Sequence, residues 1–262
     1  MRGVDALIAE LECGFTEPIP GVAQIFREVL RERRFGGRPA VVRLACFDPL
    51  FAVITLVTAH ATIVAMDRDK ADMSRGYEEL AKEFISGRVR SRVGVAAVRQ
   101  WAPALPPGAS ILDVGCGPGV PIAQTLIEDG FDVYGLDASP SMIAAFRERF
   151  PDRPAACEAV DGSQFFNRTF EAVVSWGVIF LLSPETQAVL IAKAALALKP
   201  GGRLLFTALS QICEWDDALT GRLSISLGYD AYRGLLETEG LALEGETLDE
   251  GENHYYFASK RR

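Results

Sequence analysis

The stretch Ile-Leu-Asp-Val-Gly-Cys-Gly-Pro-Gly-Val, residues 111–120, leaves the backbone few options. A short apolar run ends in Asp113, glycines stand at 115, 117 and 119, and Pro121 follows where a helix can begin. This pattern predicts a strand, a tight turn and a helix N-terminus. Glycine suits the turn because the chain must bend sharply and approach a ligand closely, which a Cβ would obstruct. The free amides and positive dipole end of the following helix favour a carboxylate or phosphate there.

Around that turn the chain alternates. A mostly helical segment from Tyr77 to Trp101, with Gly87 and Gly94 as weak points, stops at Pro106-Pro107-Gly108 and leads into a strand at 110–114. Downstream, a helix over 121–128 is followed by a strand over 133–136 that ends at Asp137. Ser139-Pro140 then supplies an N-cap and a first helical residue for a helix carrying Ile143, Phe146 and Phe150 on one face. Strands are expected at 154–160, ending in Asp161-Gly162, and at 170–176. Ser183-Pro184-Glu185 caps a helix through Leu190, Ala194 and Leu198, and Pro200-Gly201-Gly202 turns into a strand at 203–207. Strands alternating with helices at this spacing imply an α/β fold whose parallel sheet is covered on both faces.

The last sixty residues break the rhythm. Residues 208–228, with Trp215, Asp216 and Asp217, form a longer segment just beyond a strand's carboxyl end, where open α/β sheets bind ligands. A helix over 229–238 and strands over 241–248 and 254–259, joined at Gly251, imply a C-terminal antiparallel hairpin.

Composition narrows the partners. A formal charge of −8 over 262 residues argues against a nucleic-acid backbone, which Lys and Arg must neutralise, and suits a small-molecule partner. The five cysteines form no CxxC pair and read as reduced, cytoplasmic thiols; the two histidines, His60 and His254, stand far from any ligand-spaced partner, so no metal site is expected. The N-terminus lacks the continuous apolar run of a signal peptide. Val22, Ile25, Phe26, Val29 and Leu30 recur at helical spacing, and the basic run 31–34 is interleaved with Glu28 and Glu32 as on a solvated face. The apolar stretch 50–66 is shorter than a membrane helix and contains His60 and three threonines, so a buried helix or strand pair is expected and no membrane association. With Met73 opening a well-formed domain, residues 1–72 read as an extension of open structure and 73–262 as the functional domain.

Four ordered segments carry a family resemblance: Leu112-Asp113-Val114-Gly115-Cys116-Gly117-Pro118-Gly119, Gly135-Leu136-Asp137-Ala138-Ser139-Pro140-Ser141-Met142, Phe170-Glu171-Ala172-Val173-Val174-Ser175, and Leu198-Lys199-Pro200-Gly201-Gly202. With the terminal hairpin, residues 73–262 resemble the class I S-adenosylmethionine-dependent methyltransferases of the small-molecule type. The resemblance implies a Rossmann-like, mostly parallel seven-stranded sheet with helices on both faces and the hairpin at its end. It also implies S-adenosylmethionine as cofactor. The turn at Gly115, Cys116, Gly117 and Gly119 would approach the methionine moiety, and Asp113 would accept from its ammonium group. Asp137 would accept from both ribose hydroxyls, Ala138 and Met142 would pack against adenine, and Asp161 with Gly162 would receive the adenine amino group. Ser175 and Trp176 would line the methyl-transfer site, and Tyr77 would close the pocket.

Each residue also has a plainer reading: Asp137 as a helix-capping acid, Asp161 as a turn residue, Trp176 as core, Tyr77 as helix face and His254 as structural. No general base is identified, with His254, Glu214, Asp216 and Asp217 as candidates. The family's nucleobase and amide N-methyltransferases carry an Asn- or Asp-Pro-Pro-aromatic tetrad after the fourth strand, whereas this chain has Ser175-Trp176-Gly177-Val178. That, too, points away from DNA and toward a small acceptor. A nicotinamide-dependent oxidoreductase shares the strand, turn and acid, but its third glycine would fall at Val120. A non-enzymatic S-adenosylmethionine-binding protein and an aminopropyltransferase remain as further alternatives. The sequence leaves the oligomeric state open.

Overall fold

Five consecutive residues without an exposed side chain make Ser110–Val114 an interior strand. The computed structural model describes residues 72–261. The helix expected around 22–30, the basic run 31–34, the apolar stretch 50–66 and the extension itself therefore lie outside the described residues.

In chain order the elements are α1 (Ala81–Arg88), α2 (Val95–Trp101), β1 (Ser110–Val114), α3 (Ile122–Glu128), β2 (Asp132–Asp137), α4 (Pro140–Arg149), β3 (Ala155–Cys157) and β4 (Phe170–Ser175). They continue with α5 (Pro184–Ala197), β5 (Leu198–Thr207), β6 (Ile212–Asp216), β7 (Leu223–Leu227), α6 (Tyr229–Thr238), β8 (Leu241–Leu248) and β9 (His254–Lys260). Seven strands form one sheet in the order β3-β2-β1-β4-β5-β9-β8. The first five are parallel; β9 runs antiparallel to both β5 and β8. This is the expected Rossmann-like sheet with its terminal hairpin.

Side chains alternate across the strands, so each face has its own core. On one face Leu112, Val114, Val173 and Phe206 pack with Leu190 and Ile191 of α5 and Tyr232 and Leu236 of α6. On the other, Ile111, Val133 and Leu205 pack with Val98 and Trp101 of α2, Leu126 of α3 and Phe146 of α4. Each such side chain, fully buried, contributes roughly 1.5–3 kcal/mol. Helix starts follow the sequence signals: the Ser139 hydroxyl accepts from the Met142 amide (3.1 Å) and that of Ser183 from the Thr186 amide (3.3 Å).

Four elements depart from expectation. The segment 77–101 divides into α1 and α2 at Gly94, whose φ is +87°. The third strand is only Ala155–Cys157; further along, the Lys193 ammonium donates to the carbonyls of Val160, Asp161 and Ser163 (2.7–2.8 Å). Pro200-Gly201-Gly202 is not a turn before β5 but a bulge within it: pairing jumps from Phe170–Leu198 to Ala172–Arg203. Residues 208–228 hold an antiparallel pair, β6 and β7, forming a separate two-stranded sheet.

At the amino end of β4, Glu171 joins three segments. Its carboxylate accepts from the Ser110 amide (2.8 Å) and hydroxyl (2.6 Å), and from the Lys199 ammonium. Partial burial raises its proton affinity, but the bonds from Lys199 and Ser110 outweigh that and hold the carboxyl down to about 2. The folded value lies below the unfolded one of roughly 4.3, so the stabilisation is complete above that pH and is lost as pH falls toward 2. Glu171→Gln is expected to cost roughly 1.5–3 kcal/mol at neutral pH. In urea titrations from pH 5 to 2 the wild type should lose stability more steeply than the variant, and parallel curves would refute this account.

Candidate active site

Beyond β1 the chain bends at Gly115 (φ +73°), and the amides of Gly115 and Cys116 both donate to the Leu136 carbonyl near the end of β2 (2.7 and 3.0 Å). A Cβ on Gly115 would lie 2.0 Å from a methyl of Val178, so the approach of the next loop requires glycine as much as the dihedral does. Gly119 is needed for a different contact. Its Cβ would sit 2.6 Å from Phe150 and 2.9 Å from Phe146, so the turn packs directly on the aromatic pair at the end of α4.

The turn, the carboxyl ends of β1, β2 and β4, and the segment before α1 frame a cavity of about 1040 Å³, its open mouth included. Of the residues expected in the site, Tyr77, Asp113, Gly115, Cys116, Gly117, Asp137, Ala138, Met142, Asp161 and Trp176 line it. Gly119, Gly162 and Ser175 do not. Gly162 instead donates its amide to the Asp161 carboxylate (2.9 Å), and Ser175 is fully buried in β4 with its hydroxyl unpartnered among the described residues.

Two carboxylates set the electrostatics. Asp137 accepts from the Gly117 amide (2.9 Å) with one oxygen and from the Ser139 amide (2.8 Å) with the other, bracing both the glycine turn and the start of α4. Burial raises its proton affinity, and these backbone bonds offset part of the rise. Asp113, 2% exposed, has no such support. Burial first, then the charge of Asp137, push its carboxyl up to about 7. Such a pair resists full ionisation until a cation arrives, so this side of the cavity favours a ligand carrying positive charge.

The sequence reading missed several participants. Glu78, just before α1, accepts from the Ser139 hydroxyl, the Ser141 amide (3.0 Å) and the Ser141 hydroxyl (2.7 Å), tying the amino-terminal segment to α4. Burial opposes ionisation of Glu78, but the bonds from Ser139 and Ser141 prevail and lower its pKa. Phe84, Arg88, Glu158 and Val178 also line the cavity. The indole N–H of Trp176 donates to the Tyr255 hydroxyl (2.6 Å), which donates to Asp249 (2.7 Å).

None of the four candidate bases lines the cavity. His254 is held between the Ala208 carbonyl (3.2 Å) and Glu246 (2.8 Å), which fits its structural reading. Glu214 and Asp216 are exposed on β6. Asp217 alone reaches a lining residue, accepting from the Tyr77 hydroxyl (3.3 Å). Among the described residues no cluster of His, Cys, Asp or Glu could hold a metal, and no helix is long and apolar enough to cross a membrane.

Comparison with known proteins follows the same lines. Residues 111–202 match the family model described as a methyltransferase domain. A curated relative, 2-methyl-6-phytyl-1,4-hydroquinone methyltransferase of Synechocystis sp., is 29% identical over 191 residues, 68% of this chain; the match spans 58% of that relative's length. Among solved structures, a TehB-like S-adenosylmethionine-dependent methyltransferase from Corynebacterium glutamicum superposes with TM-score 0.54 at 22% identity, covering 71% of this chain and 97% of its own. The 1,6-didemethyltoxoflavin-N1-methyltransferase of Burkholderia thailandensis gives TM-score 0.56 at 15% identity over 84% of this chain and 94% of its own. At these identities the structural likenesses establish the fold.

The state of Asp113 can be tested without any ligand. Its folded pKa, about 7, lies above the unfolded value of roughly 3.9. Between those values the unfolded chain has lost a proton that the folded chain keeps, so this group's contribution to stability falls as pH rises through the window. Asp113→Asn should remove that slope and leave the unliganded variant more stable than wild type at pH 8, measured by chemical denaturation from pH 5 to 8. A wild type as stable as the variant at pH 8 would contradict the assignment.

Proposed function

We propose that the chain is a class I S-adenosylmethionine-dependent methyltransferase and transfers the methyl group of S-adenosylmethionine to a small-molecule acceptor. The observation that carries the reading is the pair of buried carboxylates, Asp113 and Asp137, flanking the glycine turn inside one cavity. The cofactor is cationic at its sulfonium and ammonium and has two vicinal ribose hydroxyls. The residues that line the cavity fit it: Asp113 for the ammonium, Asp137 for the hydroxyls, Ala138 and Met142 against adenine, and Asp161 at the adenine edge, with Gly162 set back from the cavity. Tyr77, Cys116 and Trp176 enclose the sulfur end, and Ser175 lies behind them in β4.

When bound, S-adenosylmethionine supplies an activated methyl group on a good leaving group. The chain's own task is then to align an acceptor in line with that methyl and to exclude water. The α1 side of the cavity, with Tyr77 and Phe84, and the β4 side, with Trp176 and Val178, provide apolar walls for this. Where the acceptor must lose a proton, Tyr77 and Asp217 offer a route from the cavity. The acidic charge supports a small acceptor over nucleic acid, and the free cysteines Cys116, Cys157 and Cys213 support a reducing, cytoplasmic setting. The quinone-type acceptor printed for the Synechocystis relative makes a phenolic or quinol substrate a reasonable first probe.

Asp137→Ala should weaken binding of S-adenosylhomocysteine by about 1.5–3 kcal/mol, roughly 10- to 150-fold, through loss of charge-assisted bonds. Calorimetry would measure this, with circular dichroism confirming the fold; unchanged affinity would sink the ribose assignment. Turnover itself is tested by incubating the protein with isotopically labelled S-adenosylmethionine and a metabolite extract. Label remaining wholly on the cofactor would favour a binding protein over an enzyme.

Residues 1–72 are proposed to be an extension that the methyltransferase domain does not need. Asp72 itself, however, ion-pairs with Arg222 (2.8 Å) and accepts from the Gly76 amide (2.7 Å), so the domain is better begun at 72 than at 73. Residues 72–262 expressed alone should bind S-adenosylhomocysteine as the full chain does, and insoluble or non-binding protein would count against the division.

A further inference from the structure

Three backbone carbonyls that follow β3, those of Val160, Asp161 and Ser163, converge on one nitrogen. The Lys193 ammonium on α5 donates to all three (2.8, 2.7 and 2.8 Å) and stands 5.8 Å from the centre of the buried Phe165 ring. An ammonium carries three donors on a compact charge, so it meets three convergent acceptors at once, which the planar fork of an arginine would not.

The segment bearing these carbonyls is one helical turn that does not continue. The Ser163 amide donates to the Ala159 carbonyl (2.9 Å), and the Phe165 amide donates to the Ser163 hydroxyl (3.0 Å). A turn of this kind gathers negative carbonyl ends at its carboxyl side, and a cation there stabilises it as lysine stabilises the end of a helix. Here the cation comes from another element, 30 or more residues away.

The turn holds Asp161. Its carbonyl is fixed by Lys193, one carboxylate oxygen accepts from the Gly162 amide (2.9 Å), and the residue lines the cavity together with Ala159 and Val160. The second carboxylate oxygen is left for a ligand, and its place follows from the backbone of the turn. Lys193 itself does not line the cavity.

We propose that Lys193 is a positioning residue for recognition of the adenine amino group: without touching the ligand, it fixes the turn that presents Asp161 to it. The proposal rests on the methyltransferase reading above, in which Asp161 stands at the adenine edge. Without the ammonium, three convergent carbonyls lose their donor and repel one another, so the turn opens and the Asp161 carboxylate loses its direction.

Calorimetry with S-adenosylhomocysteine and its 6-deamino analogue, which carries hydrogen in place of the adenine amino group, tests this. The proteins are wild type, Lys193→Met, Asp161→Ala and the double variant, with circular dichroism confirming each fold. Wild type is expected to prefer S-adenosylhomocysteine by roughly tenfold or more, as a hydrogen bond to a charged group allows. Lys193→Met should cut that preference to less than about threefold while binding the deamino analogue within about threefold of wild type. Asp161→Ala should do the same, and adding it to Lys193→Met should change the preference no further, because both substitutions remove one contact. Should Lys193→Met fail to fold, Lys193→Gln, which keeps two donors without the charge, decides by the same criteria.

A wild-type preference retained in the Lys193 variant overturns the proposal. Equal losses for the two ligands also overturn it, since they make Lys193 a packing residue, as do losses of preference that add in the double variant. A wild type that binds both ligands alike overturns it as well. In each of these cases S-adenosylhomocysteine still binds wild type and the methyltransferase reading stands. Failure of wild type to bind either ligand overturns the proposed function, and this inference with it.

Discussion

The Asp137 carboxylate is the point on which the site depends. It ends β2 beneath the glycine turn and accepts one backbone amide from that turn and one from the start of α4. Both donors are main-chain groups, so their positions are set by the fold rather than by side-chain rotamers, and charge-assisted bonds of this kind are strong. Glu78 extends the arrangement by holding Ser139 and Ser141 from the opposite side. Three segments far apart in sequence, around residues 78, 117 and 139, are thereby fixed to one another. A buried charge is tolerable at Asp137 because those amides compensate its lost hydration; the neighbouring Asp113, without them, rises to about 7.

The terminal hairpin is part of the same construction. Because side chains alternate along β9, Tyr255 and Tyr256 enter opposite faces of the sheet. Tyr256 stacks on Phe206 at 4.7 Å and completes the core under α6. Tyr255, on the other face, reaches past Gly94 to the Trp176 indole. The residues between β8 and β9 are held by repeated bonds to Asp249, so a turn near the end of the chain controls the angle of a ring in the cavity wall. The antiparallel addition to a parallel sheet thus positions a residue of the cavity wall as well as covering the edge of β5.

Much of the fold was legible because its signals are local. Ser139-Pro140 and Ser183-Pro184 mark helix starts by side-chain capping, and both caps form as expected. The acids Asp113 and Asp137 announce themselves as charged residues at the ends of apolar strands. Features that depend on tertiary placement were not legible. Glu78 is one of two adjacent glutamates before a helix, and nothing nearby distinguishes it from a solvated charge. Arg88 reads as an ordinary surface arginine until Trp176 is brought over it. The β6–β7 pair was missed because its strands are half-exposed, so Ile212, Glu214 and Asp216 face solvent and the alternation is weak. His254, which the sequence leaves between a base and a structural residue, connects Glu246 with the Ala208 carbonyl.

Electrostatics also separate the two ligand classes that the glycine turn alone admits. In the sequence, the valine at position 120 disfavoured a dinucleotide. The structure supplies an independent reason. Asp113, Asp137, Glu158 and Asp161 all line the cavity, against Arg75 and Arg88 on its amino-terminal side, and next to the turn Asp113 already resists ionisation beside Asp137. A pyrophosphate placed against the turn would add negative charge to this group with low-dielectric walls around it, where like charges repel most strongly. On the proposed assignment, a sulfonium with an ammonium beside it would instead let Asp113 give up its proton and become a full partner. Ligand binding and ionisation of Asp113 would then be linked, and the buried acid that destabilises the unliganded domain at high pH would be the group that selects a cation.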